Sequence, residues 1–191
     1  MKIICIGDSL TCGYKLRKKD SWPFMLEEET KIQVVDKGIS GDTTSGMLSR
    51  FYRDVIDEKP THTIIMGGTN DFIYGIPLSI IKGNLSSLVF QAYNYNVMPV
   101  LGIAIPIIPS IAKVNFQFTQ NFEEINERLG ENREWIINFA SQVNCKVIDF
   151  YKEFKAKLTN QGKEEYYKDG VHPTIEGNKK MAKEVIIKLV K

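Results

Sequence analysis

Five short runs rich in β-branched residues recur along the chain: KIICI at 2–6, IQVVD at 32–36, HTIIM at 62–66, VMPVLGI at 97–103 and CKVID at 145–149. They are short, and several are apolar at consecutive positions, which is the pattern of strands covered on both faces. Longer segments of helical period separate them. Residues 43–58 put Met47, Leu48, Phe51, Val55 and Ile56 on one face. Residues 121–143 do so with Phe122, Ile125, Leu129, Ile136, Phe139 and Val143, and the last helix with Met181, Val185, Ile186 and Leu189. A further helix is expected over 78–96, with Gly83 weakening its start. This alternation predicts a three-layer, doubly wound (flavodoxin-like) α/β fold, whose parallel sheet has about five strands in the order 2-1-3-4-5. With no repeat, low-complexity tract or linker, residues 1–191 are expected to form one domain, long enough to bury a core without disulfides or metal.

Charge and composition narrow the function classes. A net charge of +2 is too small to draw a nucleic acid or an anionic membrane. Lys179, Lys180, Lys183, Lys188 and Lys191 read as the solvated face of the last helix. No run approaches the ~18 apolar residues of a membrane span, and Lys2 leads at once into the first strand, leaving no room for a signal peptide. Cys5, Cys12 and Cys145 are an odd number at no metal-ligand spacing, which suits reduced thiols. A cytoplasmic location with no cofactor and no metal is the expectation.

In a sheet of this order, ligands bind beyond the carboxyl ends of the strands, where the strand order reverses. Strand 1 lies there between strands 2 and 3, so the loops GDSLT (7–11), KGISGDTT (37–44) and GGTND (67–71) become neighbours. Ser9 in the first is either a helix N-cap or a nucleophile. The loop is not a G-x-S-x-G elbow, because Thr11 stands where the last glycine belongs, and it lacks the G-K-[ST] of a P-loop. A serine nucleophile needs a histidine oriented by a carboxylate. Only two histidines exist. His62 opens the third strand, at the wrong end of the sheet, whereas His172 lies in YKDGVHPT (167–174) with Asp169 three residues before it. Donors for an oxyanion are available from the Ser9 N–H, Gly41 and the Asn70 amide. Each has a plainer reading too: Gly41 as a turn residue, Asn70 as an Asx-turn former, and Asp169 and His172 as a capped loop.

Taken together and in order, IGDSLT, GISGDTT, GGTND and DGVHPT resemble the signature blocks of the SGNH hydrolases, the GDSL esterase/lipase superfamily, over nearly the full chain. The resemblance implies a serine esterase of small or short-acyl substrates, with a catalytic Ser9–His172–Asp169 triad and an oxyanion hole from Ser9, Gly41 and Asn70. DSWPFML (20–26) is similar to a segment these enzymes carry after the nucleophile, with Trp22 in the core. Asp36 departs from the asparagine often found there, which bears on local hydrogen bonding and not on the reaction. Phe72, Ile73, Tyr74, Ile105, Ile107 and Ile108 are the expected apolar substrate wall. The segment AIPIIPSIAKVNFQF (104–118) reads as a packed loop, a pocket wall or lid, or an interface. An acyltransferase would use the same residues, and a non-catalytic phosphate-binding module could use DSLTCG (8–13) but would leave Asn70, Asp169 and His172 without a role.

Overall fold

The computed structural model describes residues 1–116, 121–158 and 163–190. Lys2–Gly7 (β1), Gln33–Gly38 (β2), His62–Met66 (β3), Met98–Ile103 (β4) and Lys146–Asp149 (β5) form one parallel sheet in the order β2-β1-β3-β4-β5, as the alternation predicts. Gly7 pairs with Gly38 on one side and Met66 on the other, which brings the carboxyl ends of β2, β1 and β3 level.

Period two explains why the strands are apolar at successive positions. Ile4, Ile6, Ile65 and Leu101 project to one face and Ile3, Cys5, Ile64 and Val100 to the other, and all are buried. The first face is covered by Thr44–Phe51 (α3, through Met47 and Phe51), Leu78–Asn94 (α5, through Leu85, Leu88 and Val89) and Phe122–Gln142 (α7, through Ile125, Leu129 and Ile136). The second is covered by Trp22–Thr30 (α2), Phe150–Leu158 (α8) and Ile175–Val185 (α10), with Trp22, Phe150 and Met181 wholly buried. Shorter helices lie at the carboxyl edge or near it: Ser9–Cys12 (α1), Thr69–Ile73 (α4), Pro109–Asn115 (α6) and Lys163–Tyr166 (α9). No described helix is long and apolar enough to cross a membrane.

Two segments differ from expectation. The helix over 43–58 is α-helical only to Phe51, then widens into a π-turn over Tyr52–Ile56, closed by the Asp57 N–H on the Tyr52 carbonyl at 3.0 Å. That turn buries three consecutive residues, Asp54, Val55 and Ile56, which a regular helix face does not. Within 104–118, residues 104–108 are a packed loop: Ile107 N–H donates to Asn126 Oδ1 at 2.9 Å, the Tyr167 hydroxyl donates to the Pro106 carbonyl at 2.6 Å, and Ile108 N–H donates to the Gly170 carbonyl at 2.8 Å. Pro109 then starts α6, a helix the two prolines concealed. Residues 117 and 118 lie outside the described residues.

Gly83 does not break α5. It is exposed, and a Cβ built there meets nothing. Gly83→Ala is therefore expected to stabilise the fold by about 1 kcal/mol through the unfolded state and helix propensity, seen as a rise in Tm of about 2–4 °C.

Candidate active site

β1 delivers the chain to Asp8, whose Oδ1 accepts the Leu10 N–H at 2.8 Å and caps α1. The helix is one turn long because Gly13 ends it with φ 73°, and its Leu10 carbonyl is satisfied by Trp22 Nε1 at 3.0 Å. Trp22 is thus a core residue that also holds the serine helix in place. The close fit has a strict requirement at Gly7, where a Cβ would lie 2.0 Å from Thr11 Oγ1 and 2.8 Å from the Met66 carbonyl.

Ser9, at 6% exposure, places its Oγ 3.0 Å from His172 Nε2. His172 Nδ1 lies 2.8 Å from Asp169 Oδ2, while Asp169 Oδ1 accepts the backbone N–H groups of Val171 at 3.0 Å and His172 at 2.8 Å. An acceptor carboxylate at Nδ1 puts the imidazole proton there and leaves the Nε2 lone pair facing the Ser9 hydroxyl. Burial raises the Asp169 pKa, but the bonds from the His172 side chain and backbone outweigh it and hold the carboxyl below its ordinary range. The carboxylate is therefore ionised at neutral pH.

Gly41 has φ 83°, a backbone open to glycine, and lines the same cleft as Ser40, Asn70 and His172. Asn70 is the second residue of α4, just after β3, and uses one amide hydrogen on the Asp42 carbonyl at 2.9 Å. His62 sits at the far end of β3, on Thr61 Oγ1 at 3.0 Å, and takes no part. Cys12 is half-buried, and burial first, then Asp36 and Asp8, pushes its thiol up to about 11, so it stays protonated. Asp36 accepts the Gly38 N–H at 2.8 Å, a local turn bond.

The cleft holds about 170 Å³ and its apolar lining is Tyr14, Ile73, Tyr74, Phe116, Phe122 and Val171. Of the expected wall, Ile73 and Tyr74 are here and four residues are not. Phe72 is 2% exposed in the core under the Arg128 guanidinium, because neighbours on α4 point about 100° apart. Ile105, Ile107 and Ile108 are 1–4% exposed and pack against the two faces of the sheet. Tyr14 lines the cleft from outside the expected wall. Its ring lies against His172 with centroids 4.2 Å apart and planes tilted by 30°, and Phe116 approaches the same imidazole at 6.0 Å. The signal for Tyr14 was its place directly after Gly13, whose left-handed turn folds the chain back over Ser9.

Asp8 carries an unusual load. It is wholly buried, its Oδ2 has no hydrogen-bond partner among the described residues, and burial, with help from Asp71 and Asp42, raises its pKa to about 7. A carboxyl with a raised folded pKa binds its proton more tightly in the folded state. Stability from this group is therefore present below pH 3.8 and lost as pH rises towards about 7. The loss is on the order of 4 kcal/mol, and Asp36 and Asp71, also raised chiefly by burial, slope the same way. Asp8→Asn is expected to raise the urea midpoint at pH 8 while leaving it little changed at pH 4, where the native carboxyl is already protonated.

The chain is similar to known proteins in sequence and in fold. The sequence profile of the GDSL-like lipase/acylhydrolase family matches residues 5–180. An arylesterase of Vibrio mimicus is 28% identical over 195 residues, covering 100% of this chain and 88% of its own length. The thioesterase 1/protease 1/lysophospholipase L1 of Escherichia coli (strain K12) is 25% identical over 174 residues, 90% of this chain and 74% of that protein. Among solved structures, a G-D-S-L family protein from Desulfitobacterium hafniense DCB-2 superimposes with a TM-score of 0.80 at 28% identity, covering 98% of this chain and 99% of the other.

Proposed function

The chain belongs to the GDSL-like lipase/acylhydrolase family, and from that premise we propose that it is a serine esterase that cleaves carboxylic esters of short acyl groups through an acyl-enzyme on Ser9. The observation that carries the reading is the unbroken relay from Asp169 through His172 to Ser9, with separations of 2.8 and 3.0 Å, opening into the cleft.

His172 Nε2 takes the hydroxyl proton as Ser9 Oγ adds to the ester carbonyl carbon. The carbonyl π electrons move onto oxygen, and the Ser9 and Gly41 N–H groups with the free Asn70 amide hydrogen are the donors that meet that charge. His172 then returns the proton to the leaving alkoxide, which departs as the alcohol. Water enters, loses a proton to His172 and attacks the acyl carbon. Collapse of the second tetrahedral species releases the carboxylic acid and restores Ser9. Asp169 keeps the tautomer and stabilises the imidazolium without accepting its proton. No step calls for a cofactor.

The cleft volume selects the acyl group. At about 170 Å³ it is smaller than the ~300–1,000 Å³ of pockets that enclose drug-sized ligands, and its walls are the aromatic and aliphatic residues named above. A p-nitrophenyl ester series is expected to show kcat/KM highest from acetate to butyrate and falling by octanoate. The arylesterase of Vibrio mimicus is a relative whose name fits aryl leaving groups of this kind. Failure to turn over any member of the series would contradict the reading.

A further inference from the structure

Arg50 is a charged residue at 7% exposure, 43 residues along the chain from Gly7 and outside the cleft, and all of its guanidinium nitrogens are engaged. Nε and Nη2 both reach Asp42 Oδ2, at 2.8 and 2.7 Å. Nη1 donates to the Lys37 carbonyl at 2.8 Å and to Asp54 Oδ2 at 2.8 Å, and Nη2 donates to the Gly7 carbonyl at 3.0 Å. One planar group thus ties the end of β1, the end of β2 and the residue following Gly41.

These partners are the frame of the oxyanion donors. Lys37 and Asp42 bracket the Ser40–Gly41 turn, which the Asp42 N–H closes on the Ile39 carbonyl at 3.1 Å. Gly7 lies two residues before Ser9, and its carbonyl also accepts the Ile39 N–H at 3.0 Å. The Asp42 carbonyl is what Asn70 Nδ2 binds, at 2.9 Å, so the orientation of the Asn70 amide is referred to Asp42 and through it to Arg50. Asp54 alone leads away from the loops, to Arg53 on the surface.

We propose that Arg50 is a positioning residue that sets the spacing of the Ser9, Gly41 and Asn70 donors, so that they converge on the transition-state oxygen. This rests on the oxyanion reading of those three groups given above. Its geometric basis is the five-donor fork of arginine, which a lysine with one nitrogen cannot reproduce at three carbonyl and carboxylate sites. Because the donors act mainly as charge develops, a displaced frame lowers kcat and leaves KM nearly unchanged.

The test measures kcat and KM for p-nitrophenyl acetate, per folded protein, in Arg50→Lys, Asn70→Ala, their double variant and Asp54→Asn. Asn70→Ala is expected to lose roughly 100-fold in kcat, the usual cost of one oxyanion donor. Arg50→Lys is expected to lose roughly 10-fold or more with KM within about twofold, and much less than that when added to Asn70→Ala, since the two act through one structure. Asp54→Asn, which leaves the bonds to Gly7, Lys37 and Asp42 intact, is expected to lower Tm and keep kcat. A kcat for Arg50→Lys equal to wild type, beside an impaired Asn70→Ala, overturns the role of Arg50 and leaves the oxyanion reading standing. An unimpaired Asn70→Ala overturns both. Fully multiplicative losses, or kcat falling with Tm in Asp54→Asn as well, show Arg50 to be structural only. Should Arg50→Lys not fold, Asp42→Asn, which keeps the carbonyl for Asn70 but weakens the fork, is expected to show the same kcat loss, and wild-type kcat there overturns the proposal.

Discussion

Ser9→Ala is expected to lower kcat for p-nitrophenyl acetate by about a millionfold, the scale seen when a nucleophile is removed from a serine–histidine–aspartate unit. The nearby thiol of Cys12 cannot replace it. The Cys12 thiol is held protonated by burial and lies on the Ser9 carbonyl at 3.8 Å, not on His172. The substitution deletes one oxygen that faces the cleft and leaves His172 Nε2 open to water there, so Tm is expected to stay within about 1–2 °C of wild type, as for substitutions that bury no new unpaired group. A large loss of activity beside an unchanged melting curve separates chemistry from folding. Wild-type rates in Ser9→Ala, measured by release of p-nitrophenol, would remove the nucleophile from the account.

Asp169→Asn is expected to cost about 10⁴-fold in kcat. The amide oxygen can still accept the Val171 and His172 backbone N–H groups, so the turn at 169–172 survives. The amide nitrogen then faces His172 Nδ1 and donates to it, which moves the imidazole proton to Nε2 and turns the base away from the Ser9 hydroxyl. The substitution also removes a pH effect on stability. Asp169 is held below the ordinary carboxylate range when folded, so its contribution is present above that range and is lost as pH falls through the folded pKa. The variant is expected to be less acid-sensitive at that site than wild type. A steady-state rate equal to that of wild type would mean that His172 is oriented by something else.

Parts of this molecule were legible in the sequence for different physical reasons. Strands β1, β3 and β4 were recognisable because burial on both faces leaves their runs mostly apolar, as at Ile3, Ile4, Cys5 and Ile6, while the edge strands β2 and β5 keep polar residues and showed through Val34, Val35 and Ile148. The order of the sheet followed from alternation with helices. The Ser9, Gly41, Asn70, Asp169 and His172 blocks were visible because each sits beyond a strand's carboxyl end or in the loop that closes over that edge. Apolar residues beside them were a weaker guide. Ile73 and Phe72 are adjacent and equally apolar, and only the rotation of α4 sends one to the cleft and the other to the core. Ile105, Ile107 and Ile108 follow β4 at the correct edge, but bonds from Asn126, Tyr167 and Gly170 pull their backbone inward. Arg50 read as one polar position on an amphipathic helix, because nothing local records that Gly7, Lys37 and Asp42 meet it. Long-range contacts of this kind belong to the fold and not to any window of sequence.

The central claim is that Ser9 is the nucleophile activated by His172. Its most direct test is labelling with a fluorophosphonate, followed by intact mass and peptide mapping. One phosphonyl group per chain on Ser9 is the predicted result, with loss of esterase activity in step with labelling and no label on Ser9→Ala. Labelling at any other side chain with retained activity, or turnover by fully labelled protein, would contradict it.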